Sequence, residues 1–243
     1  MTIVVSFAKP VLFTLFGLEV QSFGFFMALA FLVTYSLLDR GSKKLGLVAV
    51  DPGDILLCAI LGGVTGSKLH CVISSDWAQL LSPTGFNFQG GALTGAAAVC
   101  LYLKYHHQNI TKYSELILPL IPLGHAIGKL GCFFSGDGCY GTPSNLPWAM
   151  SFPNGLVPTY RAVHPTPLYE CACGLVIWFV ANRVKRGRTS ISLVGMGVCR
   201  FFIEMLRGHE VVFWGFSQFQ VFAVLTVSLG IYLYPRSDAR KNL

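Results

Sequence analysis

Seven long apolar runs constrain this chain more than any other feature. They fall at about 20–38, 54–73, 88–105, 113–134, 166–182, 190–206 and 215–234. Each is close to the roughly 20 residues an α-helix needs to cross a bilayer. Backbone amides cannot bond to water in hydrocarbon, so spans of this kind are helical. The expected fold is therefore all-α: a polytopic membrane bundle of about seven helices, forming one integral domain over residues 1–243. Composition agrees, with 53% hydrophobic and only 12% charged residues, where a soluble domain carries about 25% charge. A disordered chain, a coiled coil and a soluble enzyme with a polar coat are excluded. The first 16 residues are apolar but interrupted by Lys9 and Pro10, and read as an interfacial segment. No basic stretch precedes that apolar run, so a cleaved signal peptide is not expected.

The net charge of +7 is a topology signal rather than a nucleic-acid footprint. Arg40, Lys43 and Lys44, then Lys104 and Lys112, then Arg183, Lys185, Arg186 and Arg188, then Arg236, Arg240 and Lys241 all fall on one side of the spans. The other side has only Lys9, Arg161 and Arg207. A bias of twelve to three places the N-terminus outside and the C-terminus inside. The one long external loop is 135–165, rich in Gly and Pro, as an ordered loop is. Trp148, Phe152 and Tyr160 in it suit a membrane interface.

Charges within the runs narrow the function. A charge at membrane depth costs roughly 2.5 kcal/mol or more, so it seeks a partner or a wet cavity. Arg200 and Glu204 stand four residues apart and share a helix face, which Arg207 extends. His125 and Lys129 are spaced alike, with Cys132 one turn on. Lys68 follows the small-residue run 62–67, and His164 and Glu170 flank the entry to the fifth span. Arg200 and Glu204 read either as a structural ion pair or as site residues. Lys129 and Lys68 either snorkel or face a cavity. The runs 62–67 and 90–98 fit close helix packing or close backbone approach to a ligand. Together the cations Lys68, Lys129, Arg200, Arg207 and Arg161, against the acids Glu204, Asp137 and Glu170, describe a basic cavity in the outer half of the bilayer, suited to an anionic phospholipid.

Three stretches then occur in one order: Gly128-Lys129-Leu130-Gly131-Cys132-Phe133-Phe134-Ser135-Gly136-Asp137-Gly138-Cys139-Tyr140-Gly141, His164-Pro165-Thr166-Pro167-Leu168-Tyr169-Glu170, and Arg200-Phe201-Phe202-Ile203-Glu204-Met205-Leu206-Arg207. With Gly90-Gly91-Ala92-Leu93-Thr94-Gly95, they make a chain that resembles the prolipoprotein diacylglyceryl transferase family over nearly its whole length. The resemblance implies a multi-pass enzyme of the bacterial cytoplasmic (inner) membrane. It would move diacylglyceryl from phosphatidylglycerol to the cysteine thiol of a preprolipoprotein signal peptide, with no cofactor, metal or nucleic acid. Arg200, Glu204, Lys129, Asp137 and His164 would then be catalytic. Gln89, Gly90, Gly91, Cys132, Ser135, Gly141, Tyr169, Glu170, Arg207 and Lys68 would bind substrate.

The chain also departs from the family pattern. Lys129 stands where the family has Arg, and Cys132 and Ser135 where it has Asn. Asp137 replaces Glu, Pro167 replaces Gln, and Phe23 and Met196 replace Tyr. Gln89 replaces a His, and Gln cannot act as a general base. The scaffold and the phosphate end match better than the acceptor-activating end, as in a divergent paralogue. A paralogue with another acceptor, or one that binds lipid or peptide without catalysis, is the second reading. The third is a metal or thiol-redox protein, since Cys132, Asp137, Cys139, His125 and His164 are sensible ligand types. A disulfide between Cys132 and Cys139 is open as well. A transporter has little support, because no repeated pair of broken spans occurs.

Overall fold

The computed structural model describes residues 8–74, 88–208 and 215–238. The expectations placed on residues 1–7, 75–87, 209–214 and 239–243, Arg240 and Lys241 among them, lie outside the described residues. The chain is mainly helical: α1 (Ser22–Leu45), α2 (Pro52–Ser74), α3 (Phe88–Tyr105), α4 (Ile110–Ile117), α5 (Leu120–Ser135), α6 (Thr166–Arg183), α7 (Arg188–Met205) and α8 (Gln218–Asp238). Two small antiparallel hairpins join them, β1 (Val11–Leu15) with β2 (Leu18–Gln21) and β3 (Met150–Phe152) with β4 (Thr159–Val163). Ser22–Leu45, Pro52–Val72 and Ile110–Ser135 are long and apolar enough to cross a membrane, and Gln218–Tyr234 is a shorter apolar helix. Outward-facing side chains include Leu57, Leu61, Leu101, Val176, Phe179, Phe202, Leu225 and Ile231. Inward-facing ones include Thr189, Ser190, Ser192, Glu204, Ser217 and Gln220. Apolar side chains exposed along the helices, with polar ones accommodated inside, fit a helical membrane protein, whose solvent is lipid.

Three details differ from the sequence expectation. The apolar part of the N-terminal segment is a hairpin, and Phe16 (φ 50°) with Gly17 (φ 82°) supplies the two positive φ angles of a tight type I′ connection. Helix α1 runs seven residues past its apolar stretch, because Lys43 bonds Asp39 one turn back at 2.8 Å and solvates the extension. The fourth run is two helices, broken at Leu118–Pro119, where the proline ring lacks the N–H that would continue the ladder.

The chain folds as two compact units, one of residues 8–34 with 117–238 among those described, the other of residues 35–116 without 75–87. In the second unit α2 packs tightly on α3. A Cβ on Gly62 would sit 2.9 Å from the Thr94 carbonyl and 2.7 Å from Ala98 Cβ, and one on Gly90 would sit 2.6 Å from the Gly66 carbonyl. Thr94 Oγ1 donates to the Gly62 carbonyl at 2.7 Å. These small-residue runs thus serve helix packing directly.

In the first unit, α5 packs on α6 and α6 on α7, and α7 packs on α8. Gly174 of α6 lets the helices close, since a Cβ there would lie 2.5 Å from the Pro122 carbonyl of α5. The loop after α5 is capped by a small apolar core. Phe133 and Phe152 meet edge to face at 5.7 Å, and Tyr140 stacks on Phe152 at 5.2 Å. Ala8 and Val163 complete the cluster.

Candidate functional site

Helices α5, α6 and α7 bring Lys129, Glu170 and Arg200 together in the first unit. Glu170 is almost fully buried, and its carboxylate is the centre of the site. Oε2 lies 2.7 Å from Lys129 Nζ and 2.6 Å from Arg207 Nη2. Oε1 accepts from Arg200 Nη1 at 2.9 Å, and His125 Nε2 stands 3.9 Å away. The sequence marked Glu170 only as a substrate-binding residue. It is a hub because its partners come from two other helices, which no spacing rule reveals. Lys129 therefore pairs inward rather than snorkelling.

Arg200 is gripped from two sides. Its Nη2 sits 2.9 Å from Glu204 Oε2 on the next turn of α7, a charge contact more than an aligned hydrogen bond. Its guanidinium carbon lies 4.7 Å from the ring centroid of Phe219 on α8. Glu204 Oε1 in turn accepts from Ser217 Oγ at 3.1 Å. The i,i+4 spacing of Arg200 and Glu204 was legible, whereas Phe219 and Ser217 carried no sequence signal. Among the described residues, three cations, Lys129, Arg200 and Arg207, face two carboxylates, Glu170 and Glu204. The cluster thus carries one surplus positive charge in a region of low exposure, a setting that attracts an anion.

The loop from 136 to 165 docks onto this cluster. Gly136 caps α5 in a left-handed conformation, φ 59°, with its N–H on the Cys132 carbonyl. Gly141 allows the closest approach. A Cβ there would be 2.5 Å from the Leu206 carbonyl and 3.0 Å from His164 Cβ. The Gly141 and Thr142 N–H groups bond the His164 and Leu206 carbonyls at 2.8 and 2.7 Å. Thr166, fully buried, donates to the Cys139 carbonyl at 2.6 Å and accepts from Arg207 Nε at 3.4 Å. It ties the loop to the charge cluster, and nothing in the sequence singled it out.

His164 belongs to a polar chain at the rim. Trp148 Nε1 donates to the Tyr169 hydroxyl at 2.7 Å, and that hydroxyl stands 3.4 Å from His164 Nδ1. Trp148 was read only as an interface residue. Ser135 is buried, with its hydroxyl turned back to the Cys132 carbonyl at 3.2 Å. Asp137 Oδ1 accepts from the Cys139 N–H at 3.1 Å. Cys132, Asp137 and Cys139 bring their ligand-type atoms within 4.8 Å of one another. His125 and His164 are not part of that group among the described residues. Both cysteines are free thiols. The Cys132 thiol bonds to Cys139 and draws its pKa below the ordinary thiol value, with help from Lys129 and Arg207 against burial. Burial and Asp137 push the Tyr140 phenol up.

The remaining expected site residues lie in the second unit. Lys68 is on α2, and Gln89, Gly90 and Gly91 open α3, with Gln89 and Gly90 buried. Gly91 approaches α2 closely, since a Cβ there would meet the Gly63 carbonyl at 2.9 Å.

Known proteins match this sequence. The family model described as "Prolipoprotein diacylglyceryl transferase" matches residues 10–235. A protein of Clostridium tetani named phosphatidylglycerol–prolipoprotein diacylglyceryl transferase is 32% identical over 251 aligned residues, covering 96% of this chain and all of that protein. A Polynucleobacter asymbioticus protein of the same name is 32% identical over 81% of each chain. One from Chlorobaculum tepidum is 29% identical over 96% of this chain and 91% of its own. A match of this extent places the chain in the prolipoprotein diacylglyceryl transferase family.

Proposed function

We propose that this protein transfers the diacylglyceryl group of phosphatidylglycerol to the cysteine thiol of a lipoprotein precursor. It works as a seven-span protein of the bacterial inner membrane, with its N-terminus outside and its C-terminus inside. The observation that carries this reading is the surplus positive charge built by Lys129, Arg200 and Arg207 around Glu170 and Glu204. The names of the relatives supply the substrates.

The chemistry follows from charge. The acceptor thiolate attacks the glyceryl carbon that carries the phosphate. A sulfur–carbon bond forms, the carbon–oxygen bond breaks, and the electron pair leaves with glycerol 1-phosphate. The thiol proton goes to a base or to water. The lipid phosphate carries one negative charge before the step, and the leaving phosphomonoester carries a second. A site with surplus cations stabilises that second charge more than the first, which is the condition for lowering a barrier. Arg200 holds the phosphate oxygens through its planar fork, and Glu204 and Phe219 fix its orientation. Lys129 adds a point charge, and Arg207 extends the cationic face. Asp137 and His164 act on the acceptor side, where Tyr169, Glu170, Gly141, Cys132 and Ser135 shape the wall. Gln89, Gly90, Gly91 and Lys68 also bind substrate.

The test uses purified protein, radiolabelled phosphatidylglycerol and a peptide with a lipoprotein-type cysteine. The expected result is label on the peptide cysteine together with released glycerol phosphate. Arg200→Ala, monodisperse by size exclusion, should lose at least about 10²-fold in rate, as removal of one electrostatic stabiliser does. Absence of transfer by folded, lipid-bound wild type refutes cysteine lipidation. Full activity of both Arg200→Ala and Glu204→Ala refutes the residue assignment.

A further inference from the structure

The group formed by Cys132, Asp137 and Cys139 is not needed to hold phosphate, and two of its members are thiols where the family pattern leads to no metal. We propose that these three side chains hold one zinc ion with a fourth coordination position open, and that the open position takes the acceptor cysteine as its thiolate. The second half of this inference rests on the function proposed above, and the first half does not.

The geometry suits zinc. Ligand-type atoms of the three residues all lie within 4.8 Å of one another. Tetrahedral zinc with bonds of about 2.3 Å to sulfur sets its ligands roughly 3.8 Å apart, so closing on the ion needs less than about 1 Å of movement. The set is also held in place. Cys132 sits in the last turn of α5 and is buried. The chain then reverses through Gly136 and Gly138, with φ of 59° and 86°. The Cys139 N–H bonds Asp137 Oδ1, and its carbonyl is clamped by buried Thr166 at 2.6 Å. Gly136 is fixed from outside as well, since its carbonyl accepts the Val157 N–H at 2.9 Å. Ligands supported by such a shell are pre-arranged for an ion. Three protein ligands with a vacant fourth position are the pattern of reactive zinc, whereas structural zinc is closed by four.

Such a site would activate the acceptor. The acceptor thiol is a poor nucleophile until it loses its proton, and Gln89 cannot remove it. A thiol that binds zinc is deprotonated outright. It displaces a water ligand and gives its proton to solvent. The zinc-bound sulfur then attacks the glyceryl carbon while the carbon–oxygen bond to phosphate breaks. Zinc keeps its charge and its three protein ligands, and no oxidant or reductant is consumed.

The experiment loads the full-length, chelator-treated protein in detergent with Zn2+ or, for its visible spectrum, Co2+. Wild type should bind one equivalent, with cobalt showing sulfur-to-metal charge-transfer absorption. Cys139→Ser and Asp137→Ala, each checked for monodispersity, should bind at least tenfold more weakly. The cysteine peptide should then strengthen the charge-transfer band, and its Cys→Ser counterpart should not. No stoichiometric binding, binding unchanged in both variants, or a Cys132–Cys139 disulfide in metal-free protein isolated without reductant would each overturn the site. Metal binding with no response to the peptide thiol overturns the acceptor role. Metal and peptide binding without lipid transfer leaves the site standing and overturns the proposed function instead.

Discussion

Replacing Glu170 with Gln tests whether one carboxylate really organises the charges of three helical segments. The change keeps shape and removes charge. Glu170 is 4% exposed and takes Lys129, Arg200 and Arg207 at 2.7, 2.9 and 2.6 Å. Without it, Arg200 keeps Glu204, but Lys129 and Arg207 lose the carboxylate they share. Breaking a buried pair by removing one partner costs about 3–5 kcal/mol, because the other charge stays buried and uncompensated. At roughly 2–4 °C per kcal/mol for a chain of this size, Glu170→Gln should lower the unfolding midpoint by about 6–20 °C in detergent. Lys129→Met should cost less, since Glu170 then keeps two cations. Combining the two should recover about 1–2 kcal/mol relative to additivity, because the second change removes one of the stranded charges. Thermal scans of the four proteins by intrinsic fluorescence check this. A Glu170→Gln midpoint within about 2 °C of wild type, or strict additivity in the double variant, refutes the hub.

Two further outcomes follow from packing and charge. Gly141→Ala places a methyl group 2.5 Å from the Leu206 carbonyl, so it should cost about 1–3 kcal/mol as an overpacking change and show as a lower unfolding midpoint. An unchanged midpoint would mean that the loop does not need its close approach to α7. The proposed orientation predicts that alkaline phosphatase is active when fused after residue 146 and inactive when fused after residue 186. The reverse pattern refutes the assignment of loop 135–165 to the outside.

The sequence exposed the parts of this protein that depend on local pattern. The apolar runs fall on helices, and the four-residue spacing of Arg200 and Glu204 is an ion pair in space. What it hid depends on tertiary packing. Glu170 is one acid in a His-Pro-x-Pro-Leu-Tyr-Glu turn until α5 and α7 bring three cations to it. Thr166 is one more residue of that turn until the loop carbonyl of Cys139 reaches it. The break at Leu118–Pro119 had a visible cause in its proline, but the surrounding hydrophobicity masked it. The strand Thr159–Val163 had no clear apolar alternation to announce it, because β3 and Pro143 supply its pairing from elsewhere in the loop.

The charge cluster also separates a working site from a structural one. Buried ion pairs are weak stabilisers, and well-packed apolar residues in their place are often neutral or stabilising by about 1–4 kcal/mol. A purely structural role therefore gives the chain little reason to bury Lys129, Glu170 and Arg207 together. Lys129→Met, Glu170→Leu and Arg207→Met, made as one variant, remove two cations and the carboxylate they share, so no stranded charge remains among the three. Arg200 still has Glu204 and Phe219. The triple variant should unfold well above the midpoint of Glu170→Gln alone and within a few degrees of wild type, yet transfer no lipid. This pairing of retained stability with lost transfer is what a phosphate site requires. If the triple variant instead unfolds as readily as the single one, the cluster is a structural keystone, and the surplus charge loses its claim to the leaving phosphate.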